Sequence, residues 1–177
     1  MKTSRIIVVG IIMACLIGCD RRKPMESQEL GLLFINEFMA SNDSTICDEY
    51  DECDEWVEIY YPGTDTLRLG GMYLTDDFSE PKKWQFPDTM LFFHGFLLIW
   101  ADGEDGQGPM HTNFRLNRDG EQIGLFDTDE HGNVLIDSVI FGLQTSDVSY
   151  GRLPDGSDHW EYFDSPTPGE SNGGEGR

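Results

Sequence analysis

The stretch of sequence that decides the fold is residues 55–63, Glu-Trp-Val-Glu-Ile-Tyr-Tyr-Pro-Gly. In a β-strand, successive side chains point to opposite faces, so the even-numbered positions from Trp56 to Tyr60 would share one face. The odd-numbered positions from Val57 to Tyr61 would share the other face. The Pro62-Gly63 pair then favours a turn, because Pro pre-sets φ and Gly adopts positive φ without strain.

Short runs of the same kind continue to residue 163 and are separated by turn dipeptides such as Asp119-Gly120 and Asp155-Gly156. No window long enough for a helix shows apolar residues at i, i+3, i+4 and i+7. Ten short strands at this spacing predict an all-β, antiparallel sandwich or barrel. The predicted strands are 32–39, 55–61, 71–75, 83–86, 95–101, 113–116, 122–126, 134–141, 148–152 and 160–163.

Composition narrows the classes of function. The 177 residues carry 33 Asp+Glu against 12 Lys+Arg, a formal net charge of -21. Tight nucleic-acid binding needs Lys and Arg to neutralise phosphates, so nucleic acid is excluded as an expected partner. The content of 38% hydrophobic residues is too high for a disordered acidic chain, and the length predicts a single domain.

The first residues read as an export signal. Lys2 and Arg5 precede an apolar run over residues 6–17, too short for a bilayer span of about 20 residues. The run ends in Leu16-Ile17-Gly18-Cys19, which resembles the lipobox of bacterial lipoproteins. The resemblance implies a signal peptide over 1–18, a diacylated Cys19, and a tether over 19–31, and so an exported protein anchored to a bacterial membrane on its periplasmic or cell-surface side.

Ten stretches, in order along the chain, carry a second resemblance: 35–42, 54–63, 69–77, 83–87, 98–102, 111–116, 120–127, 136–139, 150–152 and 165–169. Together they resemble the lamin tail domain family, in its bacterial branch, over about residues 32–172. The resemblance implies an immunoglobulin-like β-sandwich over residues 32–170. It implies a non-catalytic interaction module rather than an enzyme. The Gly-rich composition of residues 171–177 separately predicts a disordered tail.

Two cysteines remain once Cys15 leaves with the leader and Cys19 is acylated. Outside the cytoplasm, the nearby pair Cys47 and Cys53 is most simply a disulfide that shapes a short loop. A zinc thiolate site is the weaker alternative, since zinc usually takes four ligands and no His or further Cys lies nearby in sequence.

The densest chemistry is an acidic segment, residues 43–55, with seven carboxylates and no basic residue between Lys23 and Arg68. Ca²⁺ takes six to eight oxygen ligands, so it would relieve the repulsion. The preferred ligands are Asp48, Asp51 and Asp54, with Asp43 or Glu52 in reserve. The alternative is a solvated acidic loop that keeps the protein soluble. No cofactor is required, and Ca²⁺ is the candidate ligand.

Other motifs point to structure rather than catalysis. Residues 127–132 begin like an EF-hand loop but lack the expected later ligands, so a hairpin turn is predicted. The four histidines show no catalytic or metal-binding spacing, and His111 is interpreted as structural. Three of the four tryptophans are expected in the core, with Trp160 partly exposed.

The sequence therefore predicts a lipid-anchored, non-catalytic module of the bacterial envelope. Its expected partners are the membrane, through the acyl anchor, and a protein or envelope polymer, with Ca²⁺ as a candidate cofactor. The alternative is an envelope-associated hydrolase whose acidic site has no recognisable motif.

Overall fold

The structure is a computed structural model that describes residues 33–173. These residues form eleven strands and one short 3-10 helix, Asp129–His131, and the named strands all pair antiparallel. The predicted all-β, antiparallel sandwich is confirmed. The predicted signal peptide, Cys19 and the tether lie outside the described residues.

The strands are β1 (Phe34–Met39), β2 (Trp56–Tyr61), β3 (Leu67–Arg68), β4 (Tyr73–Thr75), β5 (Trp84–Gln85), β6 (Met90–Leu91), β7 (Gly95–Trp100), β8 (Glu121–Phe126), β9 (Leu135–Phe141), β10 (Ser149–Arg152) and β11 (Trp160–Phe163).

Strand β2 lies inside a five-stranded sheet with the order β11-β10-β1-β2-β7. Val57 of β2 faces Phe38 of β1 on one side and Ile99 of β7 on the other. Such β-branched and aromatic side chains pack well on a pleated, covered surface. The composition of β2 therefore suits a strand with neighbours on both edges.

A four-stranded sheet with the order β5-β4-β8-β9 packs against the five-stranded sheet, and β3 and β6 pair as a short ribbon. The main core lies between the two large sheets. Val57 and Ile59 of β2 contribute to it from one side, and Leu74 and Ile123 contribute from the other; all four are fully buried. Burial of such apolar side chains is the dominant favourable term in folding.

The opposite face of β2 is also covered. Trp56 packs with Met39 and Trp100 in a smaller apolar cluster. Further along the same face, Glu58 lies directly opposite Glu37 of β1, and both side chains belong to residues with 0% exposure. The two-faced strand predicted from sequence is thus buried on both faces, one apolar and one partly acidic.

Residues 165–172 cover the Glu37–Glu58 pair. The Thr167 hydroxyl donates to Glu37 over 2.9 Å, and the Gly169 N–H donates to Glu58 over 2.5 Å. The Ser149 hydroxyl also donates to Glu37. Burial raises the pKa of Glu37 above its usual range and raises the pKa of Glu58 to about 8.

The predicted disorder from Ser171 onward is wrong for residues 171–173. Asn172 is buried, its N–H donates to Asp155 over 2.9 Å, and its side-chain amide donates to the Arg152 carbonyl over 3.0 Å. Ser171 also donates to Asp155. Ordering a Gly-rich segment costs conformational entropy, which is why its composition predicts disorder. The hydrogen bonds of residues 171 and 172 offset this cost.

Nine of the ten predicted strands are present with small boundary shifts, whereas 113–116 is not a strand. Phe114 and Leu116 are buried in the core, Arg115 between them is exposed, and the backbone pairing of Arg115 is limited to an isolated bridge with Asp102. The alternation that predicted a strand therefore comes from a loop packed on the core. The two-residue strands β3 and β6 were missed, since two residues cannot show a period.

The strand directions define two ends of the sandwich. At the near end, the described chain begins at Leu33, β2 ends at Tyr61 and β7 begins at Gly95. The connections over residues 40–55 and 101–120 leave from the other end, which we call the far end. Among residues 33–173 there is no helical segment with the length and apolarity that a membrane span requires.

Candidate functional site

The acidic segment forms the β1–β2 connection at the far end, and Cys47 and Cys53 are joined there by a disulfide. Within the ring that it closes, the Asp48 N–H donates to the Glu52 carbonyl over 2.9 Å. Asp48 Oδ1 accepts the backbone N–H groups of Tyr50 (2.8 Å) and Glu52 (2.9 Å). The segment is therefore a tight loop whose shape is set by Asp48 and the disulfide.

Asn42 fixes the base of this loop. Its side-chain amide is buried and donates to the carbonyls of Ile46 (2.7 Å) and Asp54 (2.9 Å). Its Oδ1 accepts from both the N–H and the hydroxyl of Thr45. A short polar side chain that bonds nearby backbone groups stabilises such turns, so both ends of the loop are held to one residue.

The structure brings together two of the three preferred Ca²⁺ ligands. Asp48 and Asp54 lie with Glu52 so that one carboxylate oxygen of each falls within 4.8 Å of the others. Asp51, with φ of 62°, is not part of this group. Desolvation raises the pKa of Asp54, against the opposing effect of the Arg115 guanidinium.

The reserve ligand Asp43 lies elsewhere in the loop. Its Oδ2 accepts from the Ser146 hydroxyl over 2.6 Å, and its N–H donates to Asp147 over 2.7 Å. Asp43 therefore fastens the loop to the β9–β10 connection.

Arg115 was not anticipated in this site. Its Nη2 lies 2.9 Å from Asp54 Oδ1, and its Nε donates to the Asp102 carbonyl over 3.0 Å. The long gap without basic residues in the sequence suggested an unrelieved negative loop. The β7–β8 connection supplies the Arg115 guanidinium to this loop, and the spacing of residues along the sequence does not reveal this contact.

The same connection brings His111 to the loop. His111 Nδ1 lies 2.5 Å from Asp102 Oδ2, and the His111 ring stacks beside Trp100 with 6.3 Å between ring centres. This confirms the interpretation of His111 as a hydrogen-bonded, buried residue. On its other side, His111 lies with Glu49 and Asp48 in a second group of ligand atoms within 4.8 Å of one another.

The second calcium-like motif is a hairpin, as predicted. β8 and β9 pair across it, and the 3-10 helix occupies its tip. His131 Nδ1 lies 3.0 Å from Asp127 Oδ2, and the Thr128 N–H donates to Asp127 Oδ1 over 2.6 Å. Asp127 therefore stabilises the turn through neighbouring residues.

The tryptophans lie as expected. Trp56, Trp84 and Trp100 are buried, whereas Trp160 is partly exposed and stacks on Tyr150 with 5.2 Å between ring centres. They are thus accounted for by packing.

The disulfide gives the first stability prediction. Because it closes a ring of only a few residues, replacing Cys47 and Cys53 together by Ser should lower the free energy of unfolding by about 2 kcal/mol. Urea unfolding monitored by tryptophan fluorescence measures the loss. The unreduced wild type should show no free thiol at these positions by mass spectrometry, and two free thiols on exported protein would contradict the bond.

Comparison with known proteins identifies the family. The model of the lamin tail domain matches residues 26–142, about two-thirds of the chain. No curated protein and no solved structure matches. The match stops before β10 and β11, yet β10 pairs directly with β1, so these strands belong to the same sheet. With its all-β sandwich and this match, the chain belongs to the lamin tail domain family, a family of non-enzymatic, immunoglobulin-like domains.

Proposed function

We propose that this protein is a lipid-anchored interaction module of the bacterial cell envelope. It is held to a membrane through acyl chains on Cys19 and binds a protein or envelope polymer through the far end of its sandwich. The observation that carries the proposal is the position of the acidic loop at the end opposite Leu33, where the described chain begins. A membrane anchor on the N-terminal side leaves that loop available to a partner.

The anchor is supported by the leader and the lipobox-like sequence at Leu16–Cys19. Buried acyl chains contribute about 0.8 kcal/mol per methylene, so two or more chains hold a protein firmly on a membrane. The three basic residues that follow Asp20 contribute about 1 kcal/mol each against anionic headgroups.

The anchor is tested by palmitate labelling in a bacterial expression host. Cys19→Ser should abolish labelling and release the protein from membranes. Cys15→Ser is the matched control, because Cys15 is removed with the leader and its loss should leave labelling unchanged. An unlabelled wild-type protein would contradict the anchor.

The binding surface includes the carboxylates of Asp48, Glu52 and Asp54, and Ca²⁺ is proposed as their ligand. Oxygen ligands in flexible geometry suit Ca²⁺, and Glu52 is exposed while Asp54 is partly buried in the same loop. Arg115 offsets one of the three charges and so reduces the number of oxygens free for the ion.

Thermal unfolding of the full chain with Ca²⁺ and with chelator tests the ion. A ligand at 100 times its Kd should add about 2.7 kcal/mol of stability. Glu52→Gln should reduce the shift, whereas Asp65→Asn, at an exposed position near the other end, should leave it unchanged. The absence of a shift at millimolar Ca²⁺ would remove the ion from the proposal.

The partner is sought by capture from envelope extracts on the immobilised full chain, with Asp48→Asn as the comparison. Loss of a captured protein or polymer in this variant would support the far end as the binding surface. Hydrolysis of an envelope polymer that one carboxylate substitution abolishes would instead support the hydrolase alternative and overturn the proposal.

A further inference from the structure

The buried imidazole of His111 has one nitrogen hydrogen-bonded to Asp102 and the other facing Glu49. Nδ1 lies 2.5 Å from Asp102 Oδ2, with 2% of the His111 side chain and 0% of the Asp102 side chain exposed. A carboxylate accepts hydrogen bonds, so the proton of a neutral His111 lies on Nδ1. Nε2 therefore keeps the lone pair that binds a metal.

Two acidic residues, Glu49 and Asp48, lie beside this imidazole. Glu49 Oε2 is 3.7 Å from Nε2, which is beyond hydrogen-bond distance but within ion-pair distance. Asp48 Oδ2 is buried and makes no hydrogen bond within the described residues, although Oδ1 of the same carboxylate accepts two. One ligand atom from each of Asp48, Glu49 and His111 lies within 4.8 Å of the other two.

Gly108 leaves space beside the same atoms. A methyl group at this position would approach His111 Cδ2 to 3.1 Å, a Glu49 carboxylate oxygen to 3.4 Å and His111 Nε2 to 3.6 Å. The absence of a side chain thus keeps the approach to Nε2 and Glu49 open. A small cation bound here could be coordinated by one imidazole nitrogen and two carboxylate oxygens, and no side chain at position 108 would occupy its place.

We propose that Asp48, Glu49 and His111 bind Zn²⁺, with Asp102 as the residue that orients the imidazole. An imidazole ligand favours Zn²⁺ over Ca²⁺, which prefers oxygen. A zinc-bound His almost always donates its other N–H to a carboxylate or carbonyl, which is the role that Asp102 occupies. Three protein ligands leave a fourth position for water or for a group from a partner. This site is independent of the membrane anchor and differs from the oxygen-only Ca²⁺ set, with which it shares Asp48.

Isothermal titration of ZnCl₂ into the full chain, purified in a non-ionic detergent from metal-free buffer, tests the site. One Zn²⁺ should bind per chain, and Glu49→Gln and His111→Gln should each weaken binding by at least about 10-fold. Asp102→Asn should weaken it about 10- to 100-fold, as expected for an orienting residue. Gly108→Ala, which removes no ligand, should also weaken binding because its methyl group occupies the approach.

The matched control is His131→Gln, which disrupts a second His–Asp pair and should leave the affinity unchanged. The Glu49 side chain is 61% exposed, so Glu49→Gln decides the question if His111→Gln does not fold. Nitrogen NMR adds a direct readout, since Zn²⁺ should shift the Nε2 resonance of His111 and leave the proton on Nδ1. Absence of Zn²⁺ binding, or equal affinity in Glu49→Gln and wild type, would overturn the site while leaving the anchor proposal intact.

Discussion

Replacing Arg152 by Ala should lower the free energy of unfolding by about 3 to 5 kcal/mol. Arg152 is buried in β10, and its Nη2 lies 3.0 Å from both carboxylate oxygens of Asp137 in β9. Its Nε donates to the Ile35 carbonyl over 2.8 Å, and its guanidinium lies 4.7 Å from the Trp160 ring centre. Arg152 therefore ties the two sheets together. Removing it leaves a largely buried carboxylate without its cation.

The matched control for this prediction is Arg68→Ala. Arg68 forms an ion pair with Asp88 at 2.7 Å, but both side chains are more than half exposed. Such surface pairs contribute about 0 to 1 kcal/mol, so this variant should unfold almost as the wild type does. Urea unfolding monitored by tryptophan fluorescence compares the two. Equal losses in the two variants would mean that the inter-sheet contact of Arg152 does not stabilise the fold.

Replacing Glu58 by Gln should make the protein more stable than the wild type above about pH 8, by roughly 3 to 5 kcal/mol. Burial raises the pKa of Glu58 from 4.5 to about 8, so the folded state keeps a proton that the unfolded state has already lost. The wild type is then penalised progressively as the pH rises from about 4.5 through about 8. The amide that replaces the carboxyl group in Glu58→Gln does not titrate and keeps an oxygen that accepts the Gly169 N–H.

Unfolding in urea at a series of pH values from about 5 to about 9 checks this, with the difference between variant and wild type as the measured quantity. The difference should grow with pH across the window and then level off. Glu80→Gln, at an exposed position, is the control and should run parallel to the wild type. Parallel curves for Glu58→Gln and wild type would show that Glu58 titrates as an exposed carboxylate does. Burial also raises the pKa of Glu37. Glu37 therefore accounts for part of any pH dependence of stability that the Glu58→Gln variant retains.

The prediction of strands from sequence succeeded where a short strand-like run is bounded by turn residues. The bounds of β2, β7 and β8, each six residues long, differ from the predicted ones by one residue at most. Residues 113–116 alternate in burial but lie in a loop, because a period shows which side chains are buried and not whether a strand pairs with its neighbours. Pairing depends on backbone partners that are distant in sequence.

The candidate site was predicted in part, for the same reason. Cys47, Cys53, Asp48 and Asp54 share one loop and were found from their spacing. Arg115, His111 and Asp102 come to that loop from the β7–β8 connection, about fifty to sixty residues further along the chain. Asp51 was expected among the ligands but does not join Asp48, because backbone conformation rather than spacing decides where each carboxylate points.

The amino-acid sequence by itself determined the class of fold, the family, the paired cysteines and the acidity of the β1–β2 loop, since these depend on composition and on the order of nearby residues. Only the tertiary structure decided that Glu58 is buried beneath Gly169, that Arg152 joins the two sheets and that His111 faces Asp48 and Glu49. Each of these depends on burial and on contact between residues far apart in the chain. Burial and proximity set the pKa of a carboxylate and the environment of an imidazole, and neither can be read from local spacing.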